Sequence, residues 1–293
     1  MFTLAHLSDP HLGPLPTPRP SELASKRVLG FINWTRKRRL VHRGEVLDAL
    51  IADLKAQSAD HIAVTGDLVN IALPGEFAAA RRWLDRLGDA RDVTVVPGNH
   101  DAYVRSARFE ATRSWGDFMR DTNAAEFPFV RRRGPLALIG VTTAVPTAPF
   151  MATGRLGAEQ IARLGETLSA LGREPCFRVV LIHHPPVSPP ERRLKRLIDS
   201  GALRATLKRH GAELLLHGHD HIHSLVWLDG PGGHIPAVGV PSASSTGGKD
   251  DPAAYNIYRI DGGAGAWRCE AVTRGFAPTG DAVVELKRQI LAG

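Results

Sequence analysis

Apolar residues along this chain fall into short runs, each cut off by Gly, Asp, Asn or His. Val, Ile and Leu dominate residues 2–7, 61–65, 93–96, 136–141, 177–182 and 213–216. Unbroken apolar runs of this length predict strands buried on both faces. Between the early runs the period changes. Val46, Leu47, Leu50, Ile51 and Leu54 repeat with the spacing of one helix face, and residues 77–87 and 156–171 behave alike. Strands alternating with helices predict an α/β fold with the helices outside. In the last third, residues 223–228, 234–240, 255–260 and 267–272 read as strands joined by Gly-rich turns, which predicts a second, more antiparallel sheet. Residues 282–291 read as a terminal helix. No repeat, low-complexity tract or linker interrupts the chain, so residues 1–293 are predicted to form one domain of two stacked sheets flanked by helices.

One segment departs from this rhythm. Pro14, Pro16, Pro18 and Pro20 exclude helix and favour an extended path. They lead into a stretch with no acidic residue that holds Lys26, Arg27, Arg36, Lys37, Arg38, Arg39 and Arg43, as many cations as the net charge of +7. The excess charge is therefore local and points at a particular partner or substrate. A helix over residues 26–39 would interleave these cations with Val28, Leu29, Phe31, Ile32 and Trp34. That is the pattern of a segment lying on an anionic membrane surface; a helix packed on the core with a solvated basic end fits equally well. Residues 12–44 are read as a Pro-rich and basic amphipathic insertion, a flap over whatever lies at the end of the first strand.

Composition adds only bounds. Hydrophobic residues make up 43% and charged residues 23%, an ordinary globular balance. No apolar run approaches the roughly 20 residues that span a bilayer. The N-terminus carries no basic leader or small-residue cleavage site, which predicts a cytoplasmic protein, peripheral at most on the inner face of the membrane. Cys176 and Cys269 stand far apart in no metal-like spacing and read as free thiols.

The chemistry sits where the apolar runs stop. The first ends in Asp9-Pro10-His11, the second in Gly66-Asp67 and the third in Gly98-Asn99-His100-Asp101. A later one ends in His183-His184, and the run at 213–216 in His217-Gly218-His219-Asp220-His221. Ligands of open α/β sheets gather beyond the carboxyl ends of strands, so five segments can bring Asp, Asn and His to one place. Oxygen plus imidazole without thiolate suits Mn, Fe, Zn, Co or Ni and not a structural zinc.

This ordered set, Asp9-x-His11, Gly66-Asp67, Gly98-Asn99-His100-Asp101, His183 and Gly218-His219-x-His221, resembles the calcineurin-like metallophosphoesterase family. One such motif is weak; five in order are specific. The resemblance implies a four-layer α/β/β/α sandwich of two mixed sheets flanked by helices, and a binuclear metal centre, with Mn2+ as the first choice and Fe, Zn, Co or Ni as alternatives. Carried over residue by residue, it assigns Asp9, His11 and His221 to one metal and Asn99, His183 and His219 to the other, with Asp67 bridging. It leaves His100 beside the phosphate as a charge stabiliser or proton donor, with Asp101 orienting it. His184 and His217 are expected to support or pack. His6, His42, His61, His210, His223 and His234 are read as ordinary core or surface residues. Asn99, His100 and Arg105 are the candidate substrate contacts, although Arg105 and Tyr103 could equally be structural.

The expected reaction is hydrolysis of a phosphodiester or phosphomonoester. A membrane lipid or lipid-linked phosphate is the first choice because of the basic flap, and residues 26–39 are the expected membrane contact. A soluble cyclic nucleotide phosphodiesterase is the alternative. A nuclease or a non-catalytic scaffold ranks lower: the compact cation cluster does not spread along a groove as nucleic acid requires, and no ligand position is replaced.

Overall fold

Two six-stranded sheets carry the molecule, as seen in a computed structural model that describes residues 1–121, 126–277 and 282–292. Strands β1 (Phe2–Leu7), β2 (His61–Val64) and β3 (Val93–Val95) run parallel in one sheet. Strands β4 (Phe129–Arg133), β5 (Leu136–Gly140), β6 (Phe177–Leu181) and β7 (Leu214–His217) belong to the other, where β5, β6 and β7 are parallel. The strands β8 (Ser224–Gly230) and β9 (Gly233–Gly239), then β10 (Ala254–Asp261), β11 (Arg268–Phe276) and β12 (Val283–Ala292), complete them. The orders are β12-β11-β10-β1-β2-β3 and β4-β5-β6-β7-β9-β8.

The strands of the second sheet alternate between two cores, as a period of two requires. Leu136, Leu138, Phe177, Val179, Leu181, Leu214 and Leu216 share one buried cluster with Leu4, Leu7 and Val64 of the first sheet, so the sheets pack face to face. Ala137, Ile139, Val180, Ile182 and Leu215 point the other way, onto Leu164, Leu168, Leu203 and Leu207. Those leucines lie on helices flanking the sheet.

Helix α1 (Arg27–Asn33), a π-helical turn at Trp34–Arg38 and the short α2 (Arg39–Val41) precede α3 (Gly44–Ala56) and α4 (Pro74–Leu87). Further on come α5 (Glu110–Trp115), α6 (Ala158–Leu171) and α7 (Ser200–His210). In α3, Leu47, Leu50 and Leu54 are the buried stripe, the face expected from their spacing. Pro74 opens α4, where its missing N–H costs nothing. The Glu76 carboxylate turns back to accept from the Asn70, Ile71 and Leu73 amides, tying the helix to the loop that follows β2.

Two expectations fail. Residues 223–272 do not make a sheet of their own. β9 lies parallel to β7 and β10 antiparallel to β1, so the last third is shared between both sheets and closes the open side of each. Residues 282–291 are not a helix but most of the edge strand β12, paired antiparallel to β11. Their Glu, Leu, Lys, Arg and Gln are good helix formers, yet helix propensity is a weak prior. The free edge of β11 supplies a ladder, and Arg288 reaches across it to Glu270.

The segment expected as a flap does fold into helical turns beside the strand ends. Trp34 anchors it in the interior, whereas Val28, Leu29, Ile32 and Leu40 remain exposed, Leu40 at 62%. Arg131, the first of three successive arginines, is 1% exposed. Its guanidinium donates to the carbonyls of Val93 and Phe118 and pairs with Asp121, so the cation is a core brace.

Candidate metal centre

Beyond their last ladder bond, β1 and β2 stay paired through their loops. The amides of Asp9, His11 and Leu12 donate to the carbonyls of Gly66, Asp67 and Leu68. This holds the first two motifs side by side. On the other sheet the Gly218 amide donates to the His183 carbonyl, joining the fourth motif to the fifth. The two halves meet where the Asp9 carboxylate accepts from the His219 amide at 2.9 Å.

The backbone is strained here. Asp9, His11, Asp67, His219 and His221 all have φ between 41° and 71°, a region that non-glycine residues rarely occupy. Such strain persists only where the surroundings over-determine it, and it gathers at functional sites. The flanking glycines are required by proximity: a Cβ on Gly98 would collide with Asp67 Oδ1, and one on Gly218 with Asp9 Oδ2.

The seven ligand candidates converge as two overlapping groups. In the second group, His183 Nε2 lies 3.3 Å from Asp67 Oδ2, 3.2 Å from Asn99 Oδ1 and 3.2 Å from His219 Nδ1. His183 Nδ1 faces the Thr65 carbonyl at 2.6 Å and His219 Nε2 faces the Lys195 carbonyl at 2.8 Å. A carbonyl can only accept, so those nitrogens carry protons, and the inward ones are the atoms that present lone pairs once a cation displaces any second proton. In the first group, His221 Nε2 lies 3.2 Å from Asp9 Oδ1 and 3.3 Å from His11 Nε2. Outward, His11 Nδ1 faces the Val69 carbonyl and His221 Nδ1 faces the Asp250 carboxylate. Asp67 Oδ2 stands 4.0 Å from His11 Nε2 as well, between the groups.

Four imidazoles and two carboxylates thus aim electron pairs at two points, with little to hold them together except a cation. Asp9 and Asp67 are buried, which would raise their pKa values, yet the facing imidazoles hold both below the ordinary carboxylate range. For His183 burial is outweighed by Asp67 and Asp9, and its pKa is raised to about 10. The site therefore concentrates a proton where a second cation would fit. The spacings of about 3.2–3.3 Å suit donors sharing an ion through bonds of roughly 2.0–2.1 Å. Oxygen and imidazole from outward-anchored rings are what a divalent transition ion takes.

His100 sits beside the groups and outside both. Its Nδ1 donates to the Asn70 carbonyl, and its Nε2 accepts from Arg38 Nη1 at 3.0 Å. Burial, then Arg38, lowers its pKa to about 4. Asp101 does not orient it, contrary to expectation. The Asp101 carboxylate accepts from the amides of Asp67, Val69 and Gly98, bracing the two loops that carry Asp67 and Asn99. Arg105 is exposed on a 3-10 turn at Arg105–Ala107, in a groove beside Lys26 and Tyr103. His184 is held by Thr143 and the Ala152 carbonyl, and His217 by the Gly218 carbonyl, so both support the ligand loops.

Three residues at the site were not singled out in advance. Arg38 reaches in from the π-helical turn with Nε and Nη2 buried and without a partner among the described residues. His42, read in advance as an ordinary residue, packs its ring 4.5 Å from that of His11. Asp250 holds His221 and stands next to Asp251 in a Gly-rich turn with no motif around it. For Arg38 the only sequence signal is its place in the cation cluster, which does not say which cation turns inward.

The family model described as calcineurin-like phosphoesterase matches residues 2–223. Among solved structures, a dimetal phosphatase from Danio rerio is similar with a TM-score of 0.67 at 12% identity, over 99% of this chain and 98% of that one. A purple acid phosphatase from yellow lupin (Lupinus luteus) seeds is similar with a TM-score of 0.60 at 12% identity, over 94% of this chain and 51% of that one. At these identities the likeness concerns the fold. No curated protein matches by sequence.

Proposed function

This chain belongs to the calcineurin-like phosphoesterase family and is a phosphate-ester hydrolase, and from that premise we propose that it is a binuclear enzyme cleaving a phosphodiester presented at a membrane surface. Asp9, His11 and His221 would hold one divalent cation, Asn99, His183 and His219 the other, and Asp67 both. Two such cations neutralise an anionic ester and supply hydroxide near neutral pH. The observation that carries the binuclear part of this reading is the convergence of Asp67 Oδ2, Asn99 Oδ1 and His219 Nδ1 within 3.3 Å of His183 Nε2, each imidazole anchored outward.

The chain's own groups then have separate tasks. Arg38 offers two buried donors to an incoming phosphoryl oxygen, which would satisfy both. His100 Nε2 is occupied by Arg38 in the resting arrangement. An anion bound to the guanidinium offsets its charge and so favours protonation of His100 Nε2 with release of the Nη1 contact, after which it can deliver a proton to the leaving oxygen. Asp101 keeps the loops of Asp67 and Asn99 in register. Mn2+ is the preferred ion among Mn, Fe, Zn, Co and Ni, since carboxylate and carbonyl oxygens accompany the imidazoles.

Membrane presentation is supported by the exposed Val28, Leu29, Ile32 and Leu40 beside the exposed Arg36, Lys37 and Arg39, on the segment that also carries Arg38. No helix among the described residues is long and apolar enough to cross a bilayer. The reading is thus of a peripheral enzyme on an anionic leaflet. The test is hydrolysis by the Mn2+-loaded protein of phospholipid in mixed micelles against a cyclic nucleotide in solution, with Asp67→Ala as blank. Lipid turnover that falls with Ile32→Glu supports the reading. Turnover of the cyclic nucleotide alone sinks the membrane part and returns the flap to ordinary structure.

A further inference from the structure

The inserted segment brings one more imidazole to the first group than the motifs provide. We propose that His42 is a ligand of the cation held by Asp9, His11 and His221, so that this ion takes three imidazoles. The inference rests on the dimetal reading of the site. Ring nitrogens of His11, His42 and His221 all lie within 4.8 Å of one another. The His42 ring is 7% exposed and packs edge-on against both others, with centroids 4.5 Å from His11 and 5.5 Å from His221.

The ring is anchored as a ligand is. Its Nδ1 lies 3.0 Å from Ser244 Oγ and 3.2 Å from Ser242 Oγ. The Ser242 hydroxyl donates to the Asp9 carbonyl at 2.6 Å, so toward His42 its oxygen accepts. Nδ1 therefore carries the proton, and the other ring nitrogen keeps a lone pair. This is the outward hydrogen bond that fixes the tautomer of metal-bound histidines, and it is what His11, His183, His219 and His221 also show. The backbone is as firmly placed. The Arg43 amide donates to the Ser244 carbonyl, the Thr246 amide to the Val41 carbonyl, and His42 bridges Ser245. Ser242, next in line, bridges Ser8 at the end of β1. His42 thus stands on an extension of the sheet that bears Asp9, although it comes from the flap. A third imidazole shifts the first position toward nitrogen and makes the two cation sites unequal in affinity.

The experiment uses the full chain, stripped with chelator and titrated with Co2+ alone. Calorimetry gives the affinities, the visible spectrum reports coordination, and hyperfine-shifted exchangeable proton signals count ligating imidazoles. The wild type should bind two Co2+ with five such histidine signals. His42→Ala and His42→Gln should each weaken one site by more than about 10–100-fold, the cost of losing even a ligand's outer hydrogen-bonding partner. They should also alter the spectrum and remove one signal, leaving the other site unchanged. Wild-type affinities and spectra in a folded His42→Ala, or only four histidine signals in the wild type itself, overturn the proposal while leaving the dimetal reading intact. A wild type that takes up no Co2+ overturns both. If His42→Ala does not fold, the signal count in the wild type still decides.

Discussion

Replacing Arg38 with methionine should make the protein more stable and less active, and the two effects have one cause. Methionine keeps much of the side chain's reach and removes the charge. Arg38 Nε and Nη2 are buried without a partner among the described residues, and an orphaned buried donor costs roughly 1–3 kcal/mol. Burial lowers the guanidinium's pKa against the pull of Asp67 and Asp9. The charged form is therefore worse off folded than unfolded, and removing it stabilises the fold. Urea denaturation of the chelator-treated Arg38→Met protein should show a gain of about 1–3 kcal/mol. With substrate, the same donors become charge-assisted hydrogen bonds worth about 1.5–3 kcal/mol each, so losing both lowers kcat/KM by roughly 150-fold or more. The assay is turnover of bis(p-nitrophenyl) phosphate by the Mn2+-loaded variant, with metal content measured alongside. A variant that is less stable and equally active would show that Arg38 is a structural brace, and the reasoning would fail.

Other expectations follow from the same geometry. Asp250→Asn weakens the hold on His221 Nδ1 and should lower affinity at one metal position by about 10–100-fold, seen as a shifted Mn2+ titration with the far-ultraviolet spectrum unchanged. Gly98→Ala drives a Cβ into Asp67 Oδ1 and should abolish activity and displace metal, although the chain still folds, which elemental analysis of the purified variant will read. Asp121 is held at about 2, chiefly by its hydrogen bond to Arg133 and with help from Arg131. Its folded pKa is depressed, so its contribution is present above the ordinary carboxylate value of about 3.9 and is lost as pH falls toward 2. Asp121→Asn should cost on the order of 1 kcal/mol at pH 6 after screening, and the deficit should shrink between pH 4 and pH 2 in denaturant titrations.

What could be read in advance divides along physical lines. The candidates Asp9, His11, Asp67, Asn99, His183, His219 and His221 could be picked out because each follows an apolar run where a buried strand end would otherwise avoid such a residue, and their assignment to two metals came from the resemblance to the family. The parallel strands and α3, α4 and α6 were legible for the matching reason, one dominant period each. Arg38 and His42 were not, since their roles depend on which way a basic helical turn faces, and a run of cations carries no such information. Arg131 is the opposite case: three successive arginines look solvated, yet strand alternation buries the first beneath Asp121. β12 was misread because local propensity and the pairing edge of β11 disagree and the edge wins. Asp250 acts through a contact 29 residues away in sequence, in a turn with no pattern.

Metal stoichiometry against turnover tests the central claim most directly. Chelated protein should be inert toward bis(p-nitrophenyl) phosphate, regain activity as Mn2+ is added, and reach its plateau at two equivalents per chain, with Asp67→Ala neither binding the full complement nor turning over. Activity in the stripped protein, or a wild type that binds no divalent ion, would contradict it.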